Sequence, residues 1–435
     1  MLHNCTKIYA TTTGMIQPIN TKQLFLASRI ALIATAMTFV IRANLIDPLG
    51  KEFGINPTDM GLIMGTAFWG FALSIMIGGF LCDLFGMKRL VLIAFGCHIA
   101  GIVLTILASG FWTLFLSTLL VGIANGMVEA ACNPLVATLF PKEKTIRLNQ
   151  FHVWFPGGIV IGGLAAYALE HLGLNWKWQM ATILVPTLIY GFQFYTQTFP
   201  ETERVQSGVS MKDMIKECFR PLFIFMLLCS LLTSATELGT NQWIVELLKN
   251  VGVDSILLLI FINGLMMLGR SFAGIVEHRL SSTGMLLGSA ILSATGLFML
   301  GNVSGYMSFL AAAVFALGIC FFWPTMLGFI SEQLPKTGAL GLALMGGTGM
   351  LSVAFILPFI GDFYLARTLL HIPEGYTMKM LMNFPEGSFE ANVLKNATLT
   401  GGAETLTYVA IMPAVLTFVF AGLYIKMRSN KKSLL

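Results

Sequence analysis

Apolar segments of about 20 residues recur along this chain, and they constrain its fold more than any other feature. A helix that crosses a lipid bilayer needs about 20 consecutive apolar residues. Only 11% of the 435 residues are charged and 56% are apolar, whereas about 25% of a soluble protein is charged. So few charges exclude a soluble globular enzyme and a disordered chain. Because the apolar segments are continuous rather than alternating, they predict an all-α membrane protein and not an outer-membrane barrel.

Twelve such segments can be placed between short polar stretches. They are predicted at about 23–47, 58–80, 88–109, 111–138, 149–170, 178–199, 220–248, 253–276, 283–301, 305–331, 337–361 and 404–427. The resulting order is a tail at 1–22, an N-terminal six-helix bundle at 23–199, a linker at 200–219, a C-terminal six-helix bundle at 220–427 with an external insertion at about 362–403, and a tail at 428–435. Two pseudo-symmetric bundles are typical of transporters with a binding site at the midplane between the halves.

Most of the 26 Lys and Arg residues fall on the side of the predicted spans that also carries both tails and the linker. Cytoplasmic loops are enriched in these residues, so the sequence predicts both termini in the cytoplasm of a bacterial inner or plasma membrane. The first 22 residues are mixed and polar, and no cleavable signal peptide is expected. None of the seven cysteines falls in a predicted external loop, so no structural disulfide is expected.

The loop between the second and third spans carries Gly79, Asp83, Gly86, Lys88 and Arg89 in the spacing G-x-x-x-D-x-x-G-x-K-R. This loop resembles the signature loop of the major facilitator superfamily, whose members are transporters of two six-helix bundles. The two glycines allow close helix contact and a tight turn. By this resemblance the five residues gate the cytoplasmic side, where Asp83 caps the next helix and pairs with basic residues around Arg89.

A second run resembles the fucose permease branch of that superfamily, whose members are sugar:proton symporters. The run comprises Glu129–Pro134 in the fourth span and Arg147–Asn149 in the loop after it, and Gly269-Arg270 at the cytoplasmic end of the eighth span also matches the branch. The resemblance implies that Glu129 takes part in proton coupling. It further implies that His152 occupies a position where the branch often has a substrate-binding Gln.

Three ionisable residues are clearly at membrane depth in the predicted spans, namely Arg42, Glu129 and Glu237. Each costs about 2.5–3.5 kcal/mol or more at membrane depth, so each needs a partner or a function. Polar residues accompany the two acids at intervals of four: Asn125, Glu129 and Asn133 in one span, and Thr233, Glu237 and Asn241 in another. This interval places side chains along one helix face. In the superfamily's arrangement these spans line the central cavity, so Arg42 and both acids are expected to share an aqueous space.

These polar rows predict a small polar solute. The predicted substrate-binding residues are Arg42, Asn133, His152, Trp154, Glu237, Asn241 and Gln242, and the predicted proton carrier is Glu129. Sugar hydroxyls need many donors and acceptors, so a neutral hexose ranks first. A sugar acid or other organic anion is the alternative, because the planar guanidinium of Arg42 suits a carboxylate.

Other interpretations remain open. Arg42 could be paired with a glutamate and only lock helices together, and Trp243 could stack on a sugar or anchor at the interface. Pro134, Pro156, Pro324 and Pro358 lie within spans and are predicted to kink them. A lipid scramblase, favoured if the cavity is mostly apolar, and a membrane receptor are the alternative classes. The sequence has no nucleophile–base pair, phosphate loop or metal-ligand spacing. We therefore expect no enzyme activity, cofactor or nucleic-acid partner, and a monomer in contact with membrane lipid.

Overall fold

The computed structural model describes residues 19–55, 57–248, 251–253, 255–381, 383–385 and 387–432. Most of the predicted N-terminal tail, at 1–18, and the last three residues, 433–435, lie outside the described residues. Within the described ranges the secondary structure is helical and contains no strand. The predicted all-α membrane fold is confirmed.

Nine helices form the N-terminal half. They are α1 (Thr21–Asn44), α2 (Ile46–Phe53), α3 (Pro57–Phe85), α4 (Met87–Ile106), α5 (Phe111–Leu139), α6 (Lys144–His152), α7 (Trp154–His171), α8 (Trp176–Thr182) and α9 (Leu184–Thr196). The fifth and sixth spans are each broken into two helices, α6 with α7 and α8 with α9. The short helix α2 lies between the first two spans.

The linker and the C-terminal half contain twelve further α-helices, one π-helical turn and one 3-10 turn. They are α10 (Glu203–Gln206), α11 (Met211–Cys218), α12 (Pro221–Ser234), a π-helical turn (Ala235–Gly239), α13 (Thr240–Leu247), α14 (Ser255–Ser271), α15 (Ala273–Leu300), α16 (Met307–Ile319), α17 (Phe322–Gln333), a 3-10 turn (Pro335–Thr337), α18 (Gly338–Leu370), α19 (Met378–Leu381), α20 (Phe389–Val409) and α21 (Ile411–Lys432). The stretch 362–403, predicted as an external insertion, is helical at both ends, because α18 continues to Leu370 and α20 begins at Phe389.

Local sequence signals set several helix starts. The side chain of Asn20 accepts a hydrogen bond from the backbone N–H of Gln23 and caps α1, and Ser210 caps α11 in the same way. Pro221 occupies the first position of α12, where its missing N–H leaves no intrahelical bond unmade. Asn20 and Pro221 thus mark the starts of two apolar spans, and Ser210 marks the start of a helix in the linker.

Among the described residues, ten helical segments are long and apolar enough to cross a membrane. Two shorter segments occupy the positions predicted for the sixth and eighth spans, namely α8 with α9, and α14. The predicted count of twelve is thus supported directly for ten spans, and the remaining two rest on the position of these segments.

The two halves meet through glycine-rich faces, and the contact between α3 and α18 is the most extensive one between them. A Cβ atom added at Gly79 of α3 would lie 2.4 Å from the Cβ of Ala343 in α18. A Cβ added at Gly347 of α18 would lie 2.2 Å from the Cγ of Met76. Only glycine permits this approach, so a side chain at either position would force the two helices apart.

Close packing inside the N-terminal half predicts opposite effects for one substitution at two sites. A Cβ at Gly122 of α5 would lie 2.5 Å from the carbonyl oxygen of Ala67, whereas a Cβ at Gly96 of α4 meets no atom within 4 Å. Gly122→Ala should destabilise the protein by about 1–3 kcal/mol through overpacking. Gly96→Ala should be neutral or stabilising, by up to about 1 kcal/mol, because alanine favours the helix. Thermal unfolding in detergent compares the two, and equal melting temperatures would contradict the packing described.

Candidate functional site

Two prolines free two carbonyl groups deep in the molecule. In an α-helix each carbonyl accepts a bond from the N–H four residues later, and proline has no N–H. Pro156 therefore leaves the carbonyl of His152 without this donor, and Pro324 does the same to the carbonyl of Cys320. The helices break at both places, since α6 ends at His152 and α16 ends one residue before Cys320.

The guanidinium of Arg270, on α14, binds both freed carbonyls. Its Nε donates to the carbonyl oxygen of Cys320 over 2.6 Å, and its Nη1 donates to that of His152 over 3.0 Å. Its Nη2 donates to Oε1 of Glu237 over 2.6 Å. Arg270 is only 1% exposed and is the largest of the fully buried side chains. Because a buried charge is tolerated only with a counter-charge and full hydrogen bonding, these three partners account for its position.

Glu237 lies in the π-helical turn that interrupts the seventh span between α12 and α13. Such turns inside helices occur frequently at functional sites. Trp323 lies in the first turn of α17, and its backbone N–H is near enough to the Glu237 carboxylate to favour its charged form. The first N–H groups of a helix have no partner within it, so they suit an anion.

The second acid, Glu129, lies in the N-terminal half on α5. Its Oε2 accepts a hydrogen bond of 2.6 Å from Nδ2 of Asn133, one turn further along the helix. Oδ1 of Asn133 lies 3.0 Å from Nε2 of His152. Since this amide oxygen can only accept, Nε2 of His152 carries the proton. The same Nε2 is 3.8 Å from Oε2 of Glu129.

These contacts form one buried cluster across the two halves, which we call the charge cluster: Glu129, Asn133, His152, Glu237 and Arg270. His152 contributes its ring to Glu129 and Asn133 and its backbone carbonyl to Arg270. The cluster contains one guanidinium and two carboxylates, of which Glu237 binds the guanidinium directly and Glu129 is linked to it through Asn133 and His152. A proton on one carboxylate therefore makes the net charge of the cluster zero. All five residues are at most 2% exposed, and an uncompensated charge there would be costly.

Arg42 lies outside the charge cluster. Its guanidinium bonds to the hydroxyl of Thr118, to that of Thr105 at 2.9 Å and to the carbonyl of Ser117 at 3.5 Å. The structure thus gives Arg42 neither the space shared with both acids nor the glutamate partner that were considered from the sequence. The reason is depth: Thr118 and Glu129 are eleven residues apart on α5, which at 1.5 Å per residue is about 16 Å.

The remaining predicted substrate-binding residues are Trp154, Asn241 and Gln242. Trp154 begins α7 directly after the helix break. Asn241 is on α13, and its Oδ1 is buried without a hydrogen-bond partner among the described residues. Gln242 follows it and faces a cavity. His98, expected to be a packing histidine, is bonded through both ring nitrogens, to Tyr190 and to Asn125, at 2.8 Å each.

Sequence reasoning missed the central role of Arg270, which was assigned to the cytoplasmic end of the eighth span. The signal was present in two forms. Glu237 is a buried acid that needs a cation, and the prolines at 156 and 324 each free a carbonyl. Neither pattern states that the three acceptors converge, because they come from three different spans.

The signature loop contacts the linker rather than its own neighbouring bases. The side chain of Asp83 accepts hydrogen bonds from Nε of Arg204 at 2.7 Å and from the hydroxyl of Thr202. The predicted pairing of Asp83 with residues around Arg89 is therefore corrected: its partner is Arg204. Nζ of Lys88 donates to the backbone carbonyl of Gln197 at 2.8 Å. Gly86 has a φ of +85° at the start of α4, a conformation that favours glycine.

Further polar contacts join the two halves at this side, which we call the linker face. Lys144 at the start of α6 pairs with Glu203 at 2.7 Å and donates to the carbonyl of Ser331 in α17 at 3.2 Å. The backbone N–H and the hydroxyl of Thr145 both donate to Glu332, at 3.0 and 2.7 Å. The linker face is thus closed.

On the opposite side a cavity of about 850 Å³ opens between the halves. We call it the distal cavity. It is lined by residues of α2 and α3 from the N-terminal half and of α13 and α18 from the C-terminal half. Gln242 lines this cavity and lies five residues beyond Glu237 along the seventh span, which corresponds to about 7.5 Å. Gln242 is thus the lining residue of the seventh span that is nearest to Glu237 in sequence.

Comparison with known proteins gives one family. The profile of the Major Facilitator Superfamily matches residues 27–361. The chain is 30% identical over 177 residues to the probable anion transporter 6, chloroplastic, of Arabidopsis thaliana, a match covering 38% of this chain and 34% of that protein. It is 31% identical over 135 residues to the mouse solute carrier family 2, facilitated glucose transporter member 10, covering 30% and 24%. The matches thus span about a third or less of these relatives.

Solved structures share the fold over nearly the whole chain. The proton:xylose symporter XylE aligns with a TM-score of 0.72 at 13% identity, covering 93% of this chain and 96% of that one. The fucose:proton symporter FucP of E. coli aligns with a TM-score of 0.65 at 15% identity, covering 91% and 98%. At such identity the likeness establishes the fold alone.

The ion pair between Arg270 and Glu237 predicts a specific double-mutant pattern. Arg270→Gln leaves the Glu237 carboxylate buried without a counter-charge, so it should destabilise the protein by about 3–5 kcal/mol. Adding Glu237→Gln should recover part of that loss, because the stranded charge is removed. Arg220→Gln is the control, since Arg220 is exposed in its pair with Glu217 and such surface pairs are worth about 0–1 kcal/mol. Thermal unfolding measures all variants, and strictly additive losses would show that the pair is not coupled.

Proposed function

Because the chain belongs to the major facilitator superfamily, we propose that it carries an organic solute together with a proton by alternating access between its two halves. Membership makes it an integral, multi-pass membrane transporter and not an enzyme. In the proposal Glu129 and Glu237 are the coupling carboxylates. In the proposal the protein lies in an inner or plasma membrane, with the linker face and both termini on the cytoplasmic side, as the distribution of Lys and Arg predicts.

One observation carries the proposal: a single buried guanidinium joins a carbonyl of the N-terminal half to a carboxylate of the C-terminal half. A proton on Glu237 cancels the charge that balances Arg270 and leaves it with two neutral carbonyls. The energy of the contact between the halves then depends on protonation. A proton-dependent contact between two rocking halves is what coupling requires.

Glu129 supplies the second protonation position. It is joined to His152 through Asn133, and the backbone carbonyl of His152 reaches Arg270. A proton on either acid neutralises the cluster, so loading one carboxylate favours ionisation of the other. This arrangement supports Glu129 as the predicted carrier and Glu237 as the group that responds.

Two classes of solute are candidates. One is a sugar, as the sequence predicted, and the other is an organic anion. One relative is named a glucose transporter and another an anion transporter. The polar rows that favoured a sugar are largely occupied, since Asn125 bonds to His98 and Thr38, and Asn133 bonds to Glu129 and His152. Arg42 is likewise held by threonines. Asn241 and Gln242 remain available as solute contacts between the charge cluster and the distal cavity.

A second candidate function, lipid scrambling, is favoured by one observation: most side chains lining the distal cavity are apolar. A scramblase needs no ionisable groups at membrane depth, whereas this chain holds four in one cluster, namely Glu129, His152, Glu237 and Arg270. Proton coupling therefore separates the two candidates, because scrambling dissipates a lipid gradient without using a proton gradient.

The coupling prediction is tested in proteoliposomes with a trapped pH indicator. Sugars, sugar acids and aromatic acids are added outside in turn, with protein-free liposomes correcting for passive entry of weak acids. A coupled solute acidifies the interior of wild-type vesicles. One pH unit is worth about 1.4 kcal/mol per proton, so it supports about tenfold accumulation of a neutral solute carried with one proton.

Glu129→Gln and Glu237→Gln should each abolish this acidification and the accumulation. Glu129→Gln should retain exchange of labelled solute, since exchange needs no net proton movement. Glu170→Gln is the matched control, because Glu170 is exposed at the end of α7. Uptake driven by sodium and indifferent to pH, or coupling that survives both substitutions, would refute proton coupling through this cluster.

The closed linker face generates a further prediction. Asp83→Asn weakens the contact with Arg204, so the closed arrangement loses a charge-assisted hydrogen bond. Uptake should fall several-fold while expression and solute binding remain. Asp213→Asn, on the exposed face of α11, should leave uptake unchanged. Wild-type uptake rates in Asp83→Asn would show that this contact does not take part in the transport cycle.

A further inference from the structure

The distal cavity is poor in hydrogen-bonding side chains. Of its sixteen lining residues only Lys51, Gln242 and Glu246 carry polar side chains that can bind a solute through hydrogen bonds or charge, apart from the indole N–H groups. Its volume of about 850 Å³ is in the range of pockets that enclose organic ligands of drug size. A solute that enters it must lose most of its water, so the lining decides which solutes can do so.

A free sugar fits this lining badly. Sugars carry a hydroxyl on almost every carbon, and each buried hydroxyl without a partner costs about 1–3 kcal/mol. Three polar side chains at the wall cannot satisfy such a solute on all sides. The cavity thus favours a solute whose polar groups are few and lie at one end.

Two indole rings, one from each half, face the cavity. Nε1 of Trp243 already donates to the carbonyl of Leu357 at 3.0 Å, so this side chain offers its ring and not its N–H. Trp69 of α3 is 44% exposed and packs edge-on against Phe355 of α18, with ring centroids 5.8 Å apart. Phe68 adds a third aromatic ring to the wall. Flat apolar bodies gain most from such surfaces.

The cavity wall carries one positive side chain, Lys51, and one negative side chain, Glu246. Lys51 is exposed at the cavity, and no carboxylate of the described residues is within ion-pair distance of it. Glu246, also at the wall, already has an interaction within the protein. An ammonium without a partner beside an apolar wall attracts an anion more strongly than it would in bulk water.

We propose that the distal cavity binds an aromatic carboxylate of one or two rings, with the ring system against Trp69 and Trp243 and the carboxylate toward Lys51. This inference rests on the proposed transport function, because it names the solute that the carrier would take up. It departs from the neutral hexose predicted from the sequence. In this proposal the ring system fills the apolar distal cavity, and proton coupling takes place at the charge cluster.

Four probes separate the body of the solute from its charge. They are naphthalene-2-carboxylate, naphthalene-2-carboxamide, D-gluconate and D-glucose. Calorimetric titration of the full chain in detergent should give the highest affinity for naphthalene-2-carboxylate. The carboxamide should bind roughly tenfold or more weakly, and the two sugar probes should not bind detectably.

Variants then assign the contacts. Lys51→Gln should lower affinity for the carboxylate roughly tenfold, equivalent to about 1.4 kcal/mol, and leave the carboxamide unchanged. Trp69→Ala and Trp243→Ala should weaken both naphthalene probes. Lys177→Gln and Trp112→Ala are matched controls, because Lys177 is partly exposed and Trp112 exposed, and neither lines the cavity. Melting temperatures show which variants remain folded, and phenylalanine at the same position replaces any alanine variant that does not.

Several outcomes would overturn the inference. They are tighter binding of D-glucose or D-gluconate, equal binding of carboxylate and carboxamide, and full affinity in folded Lys51→Gln together with both tryptophan variants. Failure of the proposed function looks different. If naphthalene-2-carboxylate binds as described but its entry moves no proton through Glu129 and Glu237, the binding site stands and the coupling fails. If a sugar drives proton entry, the coupling stands and the aromatic solute is wrong.

Discussion

A guanidinium buried at membrane depth is the constraint on which the rest of this structure depends. The charge of Arg270 needs a counter-charge at this depth. The N–H groups of its planar guanidinium also point in three directions, and each direction needs a hydrogen-bond acceptor. The chain meets this with one carboxylate and two carbonyls, and those carbonyls are available only because Pro156 and Pro324 break their helices. Three spans and both halves therefore converge on one side chain. The π-helical turn carries the carboxylate of Glu237, and the two helix breaks supply the other two acceptors.

The two faces of the molecule differ in the kind of contact that holds them. At the linker face, ion pairs and hydrogen bonds join the halves to each other and to the linker, as Asp83 with Arg204 and Lys144 with Glu203 do. At the opposite face the halves separate around an apolar cavity. In the proposed transport cycle the polar contacts of the linker face are exchanged for water, which costs little net free energy. The closest helix contact between the halves, α3 against α18, is made by glycines.

Helical spacing alone predicted part of the site correctly in space. Glu129 and Asn133 are four residues apart and do touch, because the geometry within one helix follows from sequence distance. The same reasoning gave the wrong neighbours for Arg42, because these neighbours are on other helices. Its predicted neighbours were chosen by span and not by depth, and eleven residues of α5 separate the level of Thr118 from that of Glu129. Arg270 was missed for the converse reason, since a position near a span end was equated with exposure to water.

The sequence by itself determined the class of the protein. The number and length of the apolar segments, the scarcity of charge and the signature loop at Gly79–Arg89 are all local properties, and they suffice for a helical membrane transporter of this superfamily. Only the tertiary structure decided which buried charge meets which. The partners of Arg270 come from residues 152, 237 and 320, and no local rule relates positions so far apart. Their convergence is set by how the twelve predicted spans pack, because a buried charge is stable only where the packing brings its partners within hydrogen-bond distance.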